Sequence, residues 1–549
     1  MVAPHVTGRG RSALGHRGER ANILISGGTV VDGTGAPARR ADVAIRGDRI
    51  AAVGDLSSYA ADAGVDAAGL VVAPGFIDMH THSDLSLLIN PRAESKLRQG
   101  VTTEVIGQCG FSPAPTPRAR SEDVRAIFGP WARHVDWCWG GFGDYLDALR
   151  ERRTSVNVVP VVGHTSCRVG VMGEESRAPS SAELAEMRSA VEAAMEEGAF
   201  GLSSGLVYAP GMFADTDEVV ALAEGIAPDN GVYFTHIRGE ADTLLDAIAE
   251  AIEIGRRAGT PVQISHLKAQ SRENWGKVEA ALAAIEKARE EGIDVTYDVY
   301  PYTAWNTGLG QLLPSWAREG GDEATLERLS DPGRRARIRS EIAAAAAADP
   351  GRWEQRLLAS VDTEANRPLQ GLTIAEIAAR RDAAPEDVVI ELLLEERCNA
   401  SMVGFGMWEE DVRRALAHPL AMIGSDAAAV APYGVLGKGH PHPRTYGTFA
   451  RVLGHYARDE GVLSLEDAVA KMTSRPAARL GLADRGRIAR DMAADIVIFD
   501  PDTIAARATY EEPHQYAGGV RYVIVNGMVE LEGEEHRGRG AGRVVGRAG

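Results

Sequence analysis

Eight short apolar stretches, separated by segments of helical periodicity, restrict the fold of this chain more than any other feature. They run over 71–80, 101–109, 155–164, 199–206, 231–237, 260–267, 293–300 and 420–427. Between them, 181–197, 215–228, 241–258 and 275–291 repeat apolar residues at helical spacing. Strands alternating with helices predict a parallel sheet. Eight such units predict a (β/α)8 barrel, with an open doubly wound sheet as the competing arrangement. In a barrel the chemistry sits where the strands end, at the C-terminal rim.

The two ends of the chain read differently. Residues 22–33 look like two short strands around a Gly-Gly turn, and 41–54 like a hairpin through Gly47 and Asp48. Strand texture returns at 494–500 and 520–531, with Asn526-Gly527 as a tight turn. The expected organisation is therefore an arm over 1–20, a β-sandwich built from 21–73 and 480–531, and a barrel over 74–479. The barrel carries an insertion or lid over about 303–419, too long for a simple crossover. A charged, Gly-rich stretch over 532–549 is expected to fray.

Composition narrows the function classes. Lys and Arg number 59 against 77 Asp and Glu, a net charge of −18. Such a surface repels nucleic acid and anionic membranes. The four cysteines show no pairing or zinc-finger spacing. Together with the lack of an apolar leader this points to the cytoplasm, and no run is long enough to span a membrane.

The rim positions carry the chemistry. His80 and His82 in GFIDMHTHSD are two apart, so both can face one cation from a strand end. Cys109 ends the second stretch, His236 the fifth, His266 the sixth and Asp426 the eighth. Six residues able to bind metal or move protons thus converge on one predicted rim.

With these motifs, and with GVTTEVIGQCGFSPAP (100–115), GLSSGLVYAPG (201–211), FTHIRGE (234–240), QISHLKAQ (263–270), DVYPYTA (298–304) and GHPHPRTYGTFARVLG (439–454), the chain resembles the N-acyl-D-amino-acid deacylases of the amidohydrolase superfamily. Many superfamily members carry a bridging Lys on the fourth strand. This chain has none there, and the resemblance gives that place to Cys109. It implies a tight zinc site at Cys109, His236 and His266, and a second, weaker site at His80, His82, Cys109 and Asp426. Asp426 is the implied proton carrier. Lys268, Tyr300 and Arg444 are implied to clamp the α-carboxylate of an N-acyl amino acid.

Val207, Tyr208, Leu202 and Leu206 offer pocket walls without a cation, so neutral, mainly hydrophobic side chains are expected. The alternatives are a cyclic-amide amidohydrolase, such as one for hydantoins or dihydropyrimidines, and a catalytically inactive barrel scaffold. The missing Lys argues against the first and the intact ligand set against the second.

Overall fold

The computed structural model describes residues 20–547. Eight parallel strands form the predicted barrel. They are Phe76–Asp78, Val101–Ile106, a third split into Asn157–Pro160 and Val162–Gly163, then Gly201–Gly205, Val232–His236, Val262–Ile264, Val295–Val299 and Ala421–Ile423. Neighbours pair in chain order. The eighth strand closes on the first through Met79 N–H to Ile423 O (3.2 Å) and Asp426 N–H to His80 O (2.8 Å). Ile77, Val105, Val159, Phe234 and Met422 pack as one cluster with Leu480 and Leu482. The barrel's packing therefore extends past 479.

The stretch drawn as one strand over 71–80 is two. Val71–Pro74 belongs to the sandwich and Phe76–Asp78 to the barrel. The change of sheet falls at Gly75, where a Cβ would lie 2.2 Å from Thr102 Oγ1, so only glycine fits the crossing.

The sandwich uses both chain ends, as expected. One sheet joins Arg20–Ser26, Asp42–Arg46, Arg49–Gly54 and Ala60–Asp66. The other joins Thr29–Val30, Arg39–Arg40 and Val71–Pro74 to Ile496–Phe499, Val520–Val525, Met528–Glu532 and Glu535–His536. Ile25, Val43, Ile45 and Ile50 from one face pack on Val72, Ile496, Ile498 and Ile524 from the other. The two strands flanking Gly27-Gly28 are thus in different sheets and are not a hairpin.

The expected frayed tail is tied down. Glu535–His536 adds an edge strand. The buried Glu530 carboxylate accepts N–H bonds from Arg539 (3.0 Å) and Ala541 (2.7 Å), and Val158 exchanges backbone bonds with Arg543 and Val545 (2.9 and 2.8 Å). Composition indicates how soluble a segment is and says nothing of the buried acceptor waiting for its amides. The arm over 1–19 lies outside the described residues, and Arg20 already opens a strand.

The insertion has its own antiparallel sheet, Ala304–Gly308, Arg356–Ser360 and Ser401–Phe405. Its helices Gly321–Ser330, Pro332–Ala347, Ile374–Arg381 and Pro385–Glu395 enclose a separate core around Leu329, Ile338, Leu358, Val388 and Leu392. It roofs the C-terminal rim of the barrel. Among the described residues no helix is long and apolar enough to cross a membrane.

Candidate active site

Every singled-out rim residue comes to this roofed mouth. His236 lies two residues beyond the inward-packed Phe234 and keeps its face. Cys109, His266 and Asp426 sit just past their strands with φ of +56°, +36° and +49°. Such left-handed conformations cost a non-glycine residue roughly 1–2 kcal/mol each. They turn these side chains across the mouth instead of along the barrel wall. Gly424 makes room for this, since a Cβ there would lie 2.7 Å from His80 Cβ.

Cys109 Sγ is the hub. It lies 3.3 Å from His80 Nε2, 3.6 Å from His236 Nδ1 and 3.8 Å from His266 Nε2. One sulfur and one nitrogen bound to a tetrahedral zinc at ordinary bond lengths are about 3.5 Å apart. The spacing and the borderline-soft donors therefore fit zinc. Asp426 Oδ1 adjoins this set, 3.0 Å from His82 Nε2 and 3.7 Å from His80 Nε2. His80, His82 and Asp426 make a second group of donors close enough to share an ion. Burial opposes charge on Cys109, yet the His80 charge and bonds to His236 and His266 hold its thiol well below the ordinary range. Burial likewise opposes ionisation of Asp426, but Arg444, His266 and His82 hold its carboxyl well below the usual value.

Each imidazole that faces Cys109 is backed by a carboxylate. His80 Nδ1 is 3.4 Å from Asp298, His266 Nδ1 is 3.0 Å from Glu240 and 2.6 Å from Lys268 Nζ, and His236 Nε2 is 3.7 Å from the other Glu240 oxygen. A negative charge beside one ring nitrogen favours a proton there and leaves the other nitrogen for a metal. Sequence reasoning assigned no role to either acid, although both stand inside motifs it singled out. The available signal was an acid four residues after His236 and one two residues before Tyr300.

The three residues expected to clamp the substrate, Lys268, Tyr300 and Arg444, are also together. The Tyr300 ring lies 5.6 Å from Lys268 Nζ and 4.7 Å from the Arg444 guanidinium. Both cations are held by acids, Lys268 by Glu240 at 2.5 Å and Arg444 by Asp426 at 2.9 Å. His442 orients Arg444 by accepting its backbone N–H at 3.0 Å. Fully buried Lys96 donates to Asp78 (2.8 Å), Ser425 (2.5 Å) and the Ala427 carbonyl (2.8 Å), and so pins the turn that carries Asp426.

Two cavities share Asp426 in their walls. One, of about 330 Å³, is lined by His236, Lys268, Tyr208 and the insertion. The other, of about 290 Å³, is lined by His82, His440, His442 and Arg444. Val207 and Tyr208 do line the first, whereas Leu202 and Leu206 are buried in the barrel's outer core. The fourth strand, Gly201–Gly205, carries Ser203 and Ser204 and no lysine.

An amidohydrolase family model matches residues 63–529, and the chain belongs to that family. It is 40% identical to the D-aminoacylase of Alcaligenes xylosoxydans xylosoxydans over 534 residues, covering 96% of this chain and 98% of that protein. It is 39% identical to an N-acyl-D-glutamate deacylase of the same organism, covering 93% of each. The solved N-acyl-D-glutamate deacylase of Bordetella bronchiseptica, bound to zinc and a phosphonate mimic of the tetrahedral intermediate, superposes with a TM-score of 0.81. That pair is 36% identical, covering 96% of this chain and 100% of that one. A solved D-hydantoinase, 17% identical with a TM-score of 0.54, shares the fold alone.

Proposed function

We propose that the chain is a zinc-dependent hydrolase that splits the amide bond of N-acyl-D-amino acids into a carboxylate and a free D-amino acid. The observation that carries this reading is the placement of Cys109 among three imidazoles, with Asp426 beside them and two cations around Tyr300. Full-length identity to proteins of that activity supports it.

Cys109, His236 and His266 would hold the tight ion, and His80, His82 and Asp426 would complete a second, weaker site. Zinc bound there supplies Lewis acidity that makes water a better nucleophile near neutral pH. Asp426 takes the proton of the attacking water on a carboxylate oxygen. It then delivers that proton to the leaving nitrogen, which departs poorly as an amide anion. Its low affinity for protons suits the second half of this cycle, and His82 steadies it between the two. Lys268, Tyr300 and Arg444 orient the substrate through its α-carboxylate, Arg444 in a forked geometry. Holding both ends of the reacting amide converts binding into orientation.

A chiral panel tests the reading. Zinc-loaded protein is expected to release free amino acid from N-acetyl-D-amino acids and not from their L counterparts. Faster hydrolysis of the L series, or hydrolysis of hydantoins alone, would refute it.

A further inference from the structure

The roof of the first cavity carries two arginines that no assigned role uses. Arg352 and Arg356 line it together with His236, Glu240, Lys268 and Asp426. Both come from the insertion. Arg356 is buried, with Nη1 donating to the backbone carbonyls of Gln355 and Phe405 (3.2 Å each) and its guanidinium 5.0 Å above Trp305. The buried Arg352 Nε has no hydrogen-bond partner. Among the described residues, the one carboxylate within ion-pair reach of either is Asp349, 3.6 Å from Arg356. Two guanidinium groups thus share one acid, in a chain whose net charge is −18. Gln311, also on this wall, accepts from Arg318 through its carbonyl at 2.7 Å and so keeps its amide N–H groups for the cavity.

Cations withdrawn from water with too few counter-charges are costly unless an anion arrives. Arginine on a flat tryptophan face is suited to take a carboxylate in a forked pair. The α-carboxylate already has Lys268, Tyr300 and Arg444. We propose that Arg352 and Arg356 form a subsite for a second carboxylate on the amino-acid side chain, so that N-acyl derivatives of acidic D-amino acids are the favoured substrates. This deepens the deacylase reading and rests on it. It also departs from the expectation of hydrophobic side chains. That expectation looked for cations in 201–211, but they lie in the insertion, whose place over the mouth is a tertiary fact.

The test compares N-acetyl-D-glutamate with its neutral isostere N-acetyl-D-glutamine on zinc-loaded enzyme. A site built for a charged group rejects the uncharged analogue. The ratio of kcat/KM, glutamate over glutamine, is expected to be about ten- to a hundred-fold, the range of one or two charge-assisted bonds. Arg356→Met, and separately the less buried Arg352→Gln, should each bring the ratio towards one. Rates are expressed per folded, zinc-loaded enzyme, with the folded fraction read by circular dichroism and the metal by its content, so a folding defect in a variant does not enter the comparison.

N-succinyl-D-leucine against N-acetyl-D-leucine places the extra carboxylate on the acyl side instead. A ratio near one for the glutamate pair overturns the proposal, as does a gain confined to the succinyl compound. An equal loss on glutamate and glutamine in the arginine variants also overturns it, because the pair would then be serving the α-carboxylate. Turnover of N-acetyl-D-leucine with none of N-acetyl-D-glutamate sinks the subsite and spares the deacylase reading. No turnover of any N-acyl-D-amino acid sinks both.

Discussion

Glu240→Gln isolates what a buried acid does for the metal site. Glu240 touches Lys268 Nζ at 2.5 Å, His266 Nδ1 at 3.0 Å, the Gln270 side chain at 2.6 Å and His236 Nε2 at 3.7 Å. Burial opposes its charge, but Lys268, His236 and His266 keep the carboxyl far below its ordinary value. The amide keeps the shape and removes the charge. Two losses follow from that. The His266 ring loses the acceptor that presents Nε2 to a metal, which for such backing groups costs about ten- to a hundred-fold in metal affinity, or roughly 1.4–2.7 kcal/mol. Lys268 keeps its bond to the His266 carbonyl (2.9 Å) but is left as a buried ammonium without its counter-charge, a loss of up to about 3–5 kcal/mol in stability.

The two effects are separable. Zinc affinity is read by competition with a chelator, and stability by denaturant unfolding of the metal-free protein. In the double variant Glu240→Gln/Lys268→Met the stability should recover while the zinc affinity should not. Wild-type zinc affinity in Glu240→Gln would refute the backing role. Stability unrecovered in the double variant would refute the ion-pair account.

Cys109→Ala should lose the tight zinc and turnover together; a variant that keeps one zinc and full turnover would remove Cys109 from the ligand set. Arg444→Met should lower kcat/KM by about ten- to a hundred-fold, the cost of one charged hydrogen bond, and erase any preference for N-acetyl-D-amino acids over their α-amides. Lys96→Met should leave the zinc content intact but lower kcat, because the turn 425–427 loses its tether; an unchanged kcat would show that the turn holds itself. Lys471, fully buried and donating to the His418 carbonyl, is pulled down by burial to about 8. Below that pH the folded state carries a buried charge that the unfolded chain solvates, so its penalty should fade as pH rises from about 8 towards the unfolded value of about 10.4. Lys471→Met should therefore be more stable than wild type at pH 7 by a margin that shrinks by pH 10; a constant margin would contradict the burial argument.

The barrel and its rim residues were legible in the sequence because strand period and strand end are local properties. Apolar runs of strand length placed all eight strands. A residue closing such a run must stand at the rim, so His80, His82, Cys109, His236, His266 and Asp426 could be found without a structure. Local pattern could not say which sheet a strand joins, and 71–80 was read as one strand although Gly75 divides it between two. Nor could composition foresee that Glu530 would capture the amides of Arg539 and Ala541 and order the tail. Glu240 and Asp298 stood inside motifs already singled out, but an acid acquires a role only when imidazoles turn their second nitrogens towards it, two towards Glu240 and one towards Asp298. The left-handed backbone at Cys109, His266 and Asp426 is held by packing around the mouth, since local preference opposes it. Arg352 and Arg356 are two charged residues in an insertion far along the chain from every one of these rim residues. Only the docking of that insertion over the barrel brings them to the same cavity as Asp426, because burial and charge compensation arise from neighbours in space that linear order does not record.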